Sequence, residues 1–202
     1  MFVLYAVATT TSRSFNPSLG VHLSSTTTNV PSYPPTPAFP GRAPKDAFFG
    51  NTLNTDRTVS ACVSLYKTPV SPNVQIEEVT TLLSLGAGVN GYPHVCHGGM
   101  IAMILDEVMG ILLSVNKDRE EDYARTTTGR SPSPSERLTT VTAELLVKYQ
   151  KPVTTPQTMC VRVWFSKCEG RKLWVQGTIE DEKCTVLARG EGLFIKTGRE
   201  KL

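Results

Sequence analysis

The chain has 202 residues, 40% of them hydrophobic, which is enough for one well-packed core but short for two domains of ordinary size. Its formal charge of +3 is thinly spread. Without a basic stripe or a block of like charges, the chain has no electrostatic footprint for nucleic acid.

Residues 1–45 contain no acidic residue, are rich in Ser and Thr, and end in VPSYPPTPAFPGRAP. Such a composition buries too little apolar surface to offset the entropy of ordering, so this segment is expected to be an unstructured or targeting tail. It has hydroxyls but only Arg13 and Arg42 as arginines, whereas mitochondrial transit peptides are Arg-rich. The cytosol is the first expectation for location and the mitochondrion the second.

From Asp46 the pattern changes. Phe48, Leu53, Val59, Val63 and Tyr66 fall at roughly helical spacings before Pro69, predicting a helical N-terminal extension over residues 46–69. The domain proper is expected over 70–202. VQIEEVTTLLSLGAGV reads as its first strand, and the glycine-rich GAGVNGYPHVC leads from it to His97.

Residues 98–115 then predict a helix about 27 Å long. It is apolar nearly all round, as a helix buried on most sides would be. It is slightly short for a membrane span and carries Asp106 and Glu107 near its middle, where each charge would cost about 2.5 kcal/mol or more in a bilayer. The following NKDREEDYARTTTGRSPSPSERL reads as an exposed excursion. Four strand-like segments complete the chain: LTTVTAELLVKYQKP, QTMCVRVWFSK, RKLWVQGTIED and TVLARGEGLFIK. One strand, one long buried helix and four consecutive antiparallel strands make an α+β architecture, a sheet curled around one helix.

The five cysteines are odd in number and lack the short spacings of zinc or redox sites, which suggests reduced thiols and no metal. Cys96 and His97 adjoin, but sequence neighbours seldom face each other as nucleophile and base.

The acids of the helix are not equivalent. Asp106 shares its stripe with Ala102 and Gly110, so the surface beside it is shallow; Glu107 shares its own with Met103 and Ile111 and has no such opening. At the helix start, the Gly98 and Gly99 amides lack intrahelical acceptors and sit at the positive end of the dipole, a ready oxyanion hole. His97 is expected to fix the loop rather than move protons. The alternative is structural: Asp106 reaching solvent, His97 capping the helix and the glycines permitting a turn.

The run His97-Gly98-Gly99, followed by six residues and then Asp106, resembles the active-site signature of hotdog-fold acyl-CoA thioesterases, specifically the phenylacetate-type branch of the 4-hydroxybenzoyl-CoA thioesterase superfamily. HGGMIAMILDEVMG is similar to the animal mitochondrial long-chain enzymes of that branch, and VTAELLVKYQKPV to the family's next strand. The resemblance covers roughly residues 75–196. It implies a hotdog fold, Asp106 as general base or nucleophile, Gly98 as the oxyanion-hole donor, and Thr142 orienting the carboxylate or its water. It also places Asn90 near a residue that polarises the thioester carbonyl in some members, but one position further from the His. Gly110 stands where many members carry Ser or Thr.

The implied activity is hydrolysis of an acyl-CoA, or an acyl chain on a carrier protein, with no metal or redox cofactor. A hotdog dehydratase and a non-catalytic acyl-binding accessory protein are the rivals. Gly98 and Asp106 are eight residues apart, roughly 12 Å along one helix, so they cannot serve one carbonyl within a chain. The expected solution is a homodimer, or a dimer of dimers, with its sites at the subunit interface.

Overall fold

The computed structural model describes residues 2–5, 47–71, 73–129 and 139–197. Its strands are β1 (Phe2–Tyr5), β2 (Val59–Lys67), β3 (Glu78–Leu85), β4 (Asn90–Tyr92), β5 (Val95–Cys96), β6 (Thr139–Tyr149), β7 (Gln157–Glu169), β8 (Lys172–Glu180) and β9 (Val186–Thr197). One helix, α1 (Gly98–Thr128), lies between β5 and β6. Seven strands form an antiparallel sheet in the order β1-β2-β3-β7-β8-β9-β6, and β4 and β5 form a small ladder of their own. The architecture is the antiparallel sheet around one long helix that the hotdog fold requires.

α1 buries Met100, Ile101, Ile104, Leu105, Val108 and Met109 in its first half, against inward residues of β3, β7, β8 and β9 such as Leu83, Val161, Val175 and Phe194. Its length and composition would suit a membrane, but the sheet takes up its apolar surface as a core helix. Small residues on β9 allow the close approach. A Cβ at Gly190 would come within 3.0 Å of Met109 Cε, and one at Gly192 within 2.9 Å of Met109 Sδ.

Three expectations require correction. Residues 46–69 are not a helical extension: a short π-helical turn at Phe48–Thr52 is followed by β2, an integral strand of the sheet. A bulge between Val59 and Ala61 shifts the register, so the buried Val59 and Cys62 stand three residues apart. That extra residue mimics helical spacing.

Residues 1–45 are not a wholly unpaired tail, because Phe2–Tyr5 pairs antiparallel with Ser64–Lys67 of β2. The aromatic and β-branched run FVLY suits an edge strand. Residues 6–46 lie outside the described residues.

Finally, α1 does not stop at Val115. The segment read as an excursion continues the helix for more than three turns to Thr128, and Gly129 terminates it at φ 68° with its N–H on Arg125 O at 2.9 Å. Good helix formers sustain this exposed part, with an Arg125–Asp122 ion pair and the Thr126 hydroxyl donating to Asp122 O. The Ser/Pro-rich residues 130–138 lie outside the described residues.

Asn116, where the charged segment begins, is a core residue. Its amide donates to Ile76 O and Leu112 O, both at 2.9 Å, and its Oδ1 accepts from Ile76 N at 2.7 Å. The loop entering β3 is thereby tied to the helix.

Candidate active site

The approach to the helix is built from backbone. His97 N donates to Val89 O and Cys96 N to Val153 O, each at 2.8 Å, which seats the β4–β5 ladder against the loop before β7. Gly91 permits this, since a Cβ there would lie 2.7 Å from His97 Cδ2.

His97 is the N-cap of α1: with φ −62° and ψ 135°, its Nδ1 accepts from Gly99 N at 2.9 Å. The imidazole thus caps the helix, and the Gly99 N–H is engaged rather than free. The His97 carbonyl accepts from Met100 N and Ile101 N, at 2.9 and 3.3 Å. Gly98 N–H has no acceptor among the described residues. Gly98 also lines an open cleft of about 350 Å³ whose wall includes Val95, Ile101, Tyr149, Lys151 and Val153. Of the two glycines expected to donate, one is engaged and one faces the cleft.

Two turns along α1, Asp106 Oδ1 accepts from Thr142 Oγ1 of β6 at 2.8 Å. A bulge in the β6–β9 pairing falls between Thr142 and Glu144, just after the threonine. The carboxylate's second oxygen has no partner among the described residues. A Cβ at Gly110, one helical turn after Asp106, would meet nothing within 4 Å. Glu107 lies on a different face, near Cys62, whose thiol burial above all, then this acid, pushes up to about 12.

Asp106 is not part of the Gly98 cleft, in keeping with their separation along one helix. Within a single chain the two halves of the expected chemistry are assembled but kept apart.

The remaining candidates fare differently. Asn90 faces Thr155, whose hydroxyl donates to Asn90 Oδ1, so that oxygen is engaged in joining β4 to the loop before β7. Cys96 is buried and its thiol is pushed up to about 11 by burial, the reverse of an activated nucleophile. All five cysteines are free thiols. Among the described residues, no group of three His, Cys, Asp or Glu gathers where it could hold a metal ion. Sequence reasoning missed Tyr149, whose hydroxyl donates to Gly98 O at 2.9 Å; the one signal was its place in VTAELLVKYQKPV, the run similar to the family's next strand.

A carboxylate held by a threonine and a helix-start amide without an acceptor among the described residues thus stand two turns apart on the core helix. Residues 94–188 match the family model described as Thioesterase superfamily. The chain is 27% identical over 159 residues to verlamelin biosynthesis protein B of Lecanicillium sp, covering 71% of this chain and 69% of the relative. It is 33% identical over 127 residues to the acyl-coenzyme A thioesterase THEM4 of Mus musculus, covering 62% of this chain and 46% of that one. The chain therefore spans about half the length of that thioesterase. Among solved structures it is similar to a hypothetical thioesterase with coenzyme A from Streptococcus pneumoniae TIGR4, at TM-score 0.49 and 12% identity over 61% of this chain and 84% of that one. It is also similar to the E. coli PaaI protein from the phenylacetic acid degradation operon, at TM-score 0.46 and 12% identity, over 62% and 78%.

Proposed function

We propose that the protein hydrolyses an acyl thioester, on coenzyme A or on a carrier protein, to the free acid and thiol. The observation that carries this is the Asp106–Thr142 pair: one carboxylate oxygen is held at 2.8 Å, the other has no partner among the described residues, and nothing crowds Gly110 one helical turn on. Asp106 takes a proton from water as the water attacks the thioester carbonyl, or attacks that carbon itself to form an anhydride that water then opens. In either route the Gly98 N–H stabilises the developing oxyanion, and the C–S bond breaks to release the thiol. Gly110 supplies room rather than a hydroxyl, and His97 holds the first turn rather than moving the proton.

The acid and the amide meet across a two-fold axis in a homodimer, or within each pair of a dimer of dimers. Two features support this. Their separation along α1 forbids a site within one chain, and β6 is an edge strand that presents Leu146 and Tyr149 at 53% and 57% exposure. The likeness to a verlamelin biosynthesis protein supports a biosynthetic setting, in which a carrier-bound acyl chain is a natural substrate alongside acyl-CoA. Our placement is cytosolic, with the mitochondrion second; a full-length fusion to a fluorescent protein distinguishes them.

The test is release of free thiol from a panel of acyl-CoAs and acyl carriers of varied chain length. A thioesterase liberates thiol and acid in equal amounts. A dehydratase alters the acyl group while leaving the thioester intact, and an acyl-binding protein releases nothing; either result would overturn the proposal.

A further inference from the structure

We infer that Tyr149 is a positioning residue for the oxyanion amide, acting through the backbone of Gly98. The inference rests on the thioesterase reading above and extends it to a residue that touches the helix start from a distant strand.

Tyr149 is the last residue of β6, paired with Ala188 of β9, and the two residues after it both donate to Leu187 O, at 2.8 and 3.0 Å. This anchorage places its ring beside Gly98. A Cβ at Gly98 would stand 3.5 Å from the ring's Cε1 and Cζ, an ordinary contact, and the phenol donates to Gly98 O at 2.9 Å.

Neither burial nor hydrogen-bond completion explains a tyrosine here. The side chain is 57% exposed, and carbonyls at a helix start have acceptor roles within the helix already. What the hydroxyl adds is restraint. Two successive glycines are the softest backbone with which a helix can open. The peptide that joins them is gripped at both ends: His97 Nδ1 takes its N–H and Tyr149 Oη holds its carbonyl. The peptide before it is fixed through the His97 carbonyl by Met100 N and Ile101 N. With both neighbouring peptide planes held, rotation about Gly98 is confined. Its own N–H, which has no acceptor among the described residues and belongs to a residue lining the cleft, keeps a constant aim. Hydrogen bonds weaken steeply as they bend, so a donor free to rock stabilises an oxyanion less.

Tyr149→Phe removes the hydroxyl and keeps the ring. Loss of one neutral hydrogen bond's worth of preorganisation predicts a fall in kcat of about tenfold. KM, the Kd of an unreactive thioether analogue of the acyl-CoA and the melting temperature are expected to stay as in the wild type, because the ring and the cleft wall remain. Assays well below the melting temperature keep loss of fold out of the comparison. In parallel, glycine-selective ¹⁵N relaxation reads the Gly98 amide directly, and its order parameter is expected to drop in the Phe variant. An unchanged kcat in an active enzyme overturns the inference, as does a change confined to KM, which would make the hydroxyl a substrate contact. Wild-type protein that releases no thiol from any acyl donor would instead overturn the thioesterase reading. The relaxation measurement then decides whether the backbone clamp exists: an unaltered order parameter removes it.

Discussion

Mixing two inactive variants tests the composite site. Asp106→Asn removes the base, which predicts a loss of at least about 100-fold. Gly98→Pro removes the oxyanion donor, with a loss of about 100- to 1,000-fold. Proline is accommodated at 98 on several counts. The position opens the helix, the N–H it deletes bonds to nothing among the described residues, and His97 already has the ψ of 135° that a residue before proline adopts. If the two proteins are unfolded together in equal amounts and reassembled, half the dimers are mixed. Each mixed dimer has one site with both groups intact and one with both lost. Roughly a quarter of wild-type activity is therefore expected, from two nearly silent parents. The assay is thiol release, with mixed dimers counted by native mass spectrometry of differently tagged chains. Well-formed mixed dimers that recover nothing would refute the composite site, since sites built within single chains cannot complement.

Further outcomes are expected. Thr142→Ala frees one oxygen of Asp106 and should lower kcat by about tenfold, while Glu107→Gln should change turnover little; equal losses from Asp106→Asn and Glu107→Gln would show that the roles are misassigned. Asn116→Leu strands the Ile76 N–H and C=O, and should lower stability by about 2–4 kcal/mol, measured by urea unfolding, with the catalytic residues untouched. Burial raises the Cys96 thiol to about 11, so its thiolate appears only as pH climbs towards that value, and any stability tied to its protonation fades above about pH 9, not below. At neutral pH, iodoacetamide should label the exposed Cys168 and Cys184 well before Cys96, as peptide mass spectrometry will report. Removing residues 1–44 takes away β1, a four-residue edge strand, so a modest fall in melting temperature is expected with turnover retained.

What the sequence made legible was the chemistry carried by local pattern. The helical stripe through Ala102, Asp106 and Gly110 specifies an open acid because side chains four apart share a face whatever surrounds them. His97 followed by two glycines marks a helix start because the first amides of a helix need an acceptor from outside it. The errors arose where tertiary structure reinterprets local spacing. Val59 and Cys62 look helical only because a bulge inserts a residue into β2. Asn116 looks like the start of a solvated segment, and only its contact with Ile76, 40 residues away, makes it core. Tyr149 was invisible as a site residue because its meaning lies in a bond spanning 51 residues. Gly99 could be read as a free donor only while the orientation of the His97 imidazole was unknown.

The strand order has a consequence for how the protein comes into being. β6, which carries both Thr142 and Tyr149, is the next described element after α1, yet its only partner among the described residues is β9, the last of the described strands. Thr139 pairs with Thr197 and Tyr149 with Ala188, so β6 must wait through the synthesis of β7 and β8 before it has a ladder to join. On the ribosome, the helix with its acid and glycines emerges well before the two side chains that discipline them. Contacts of such long sequence separation form late and slowly. A nascent chain halted anywhere before β9 therefore carries its reactive carboxylate untethered and its helix start unclamped. Thr142 and Tyr149 are therefore set in the sheet only once β9, the strand that pairs with theirs, has been made.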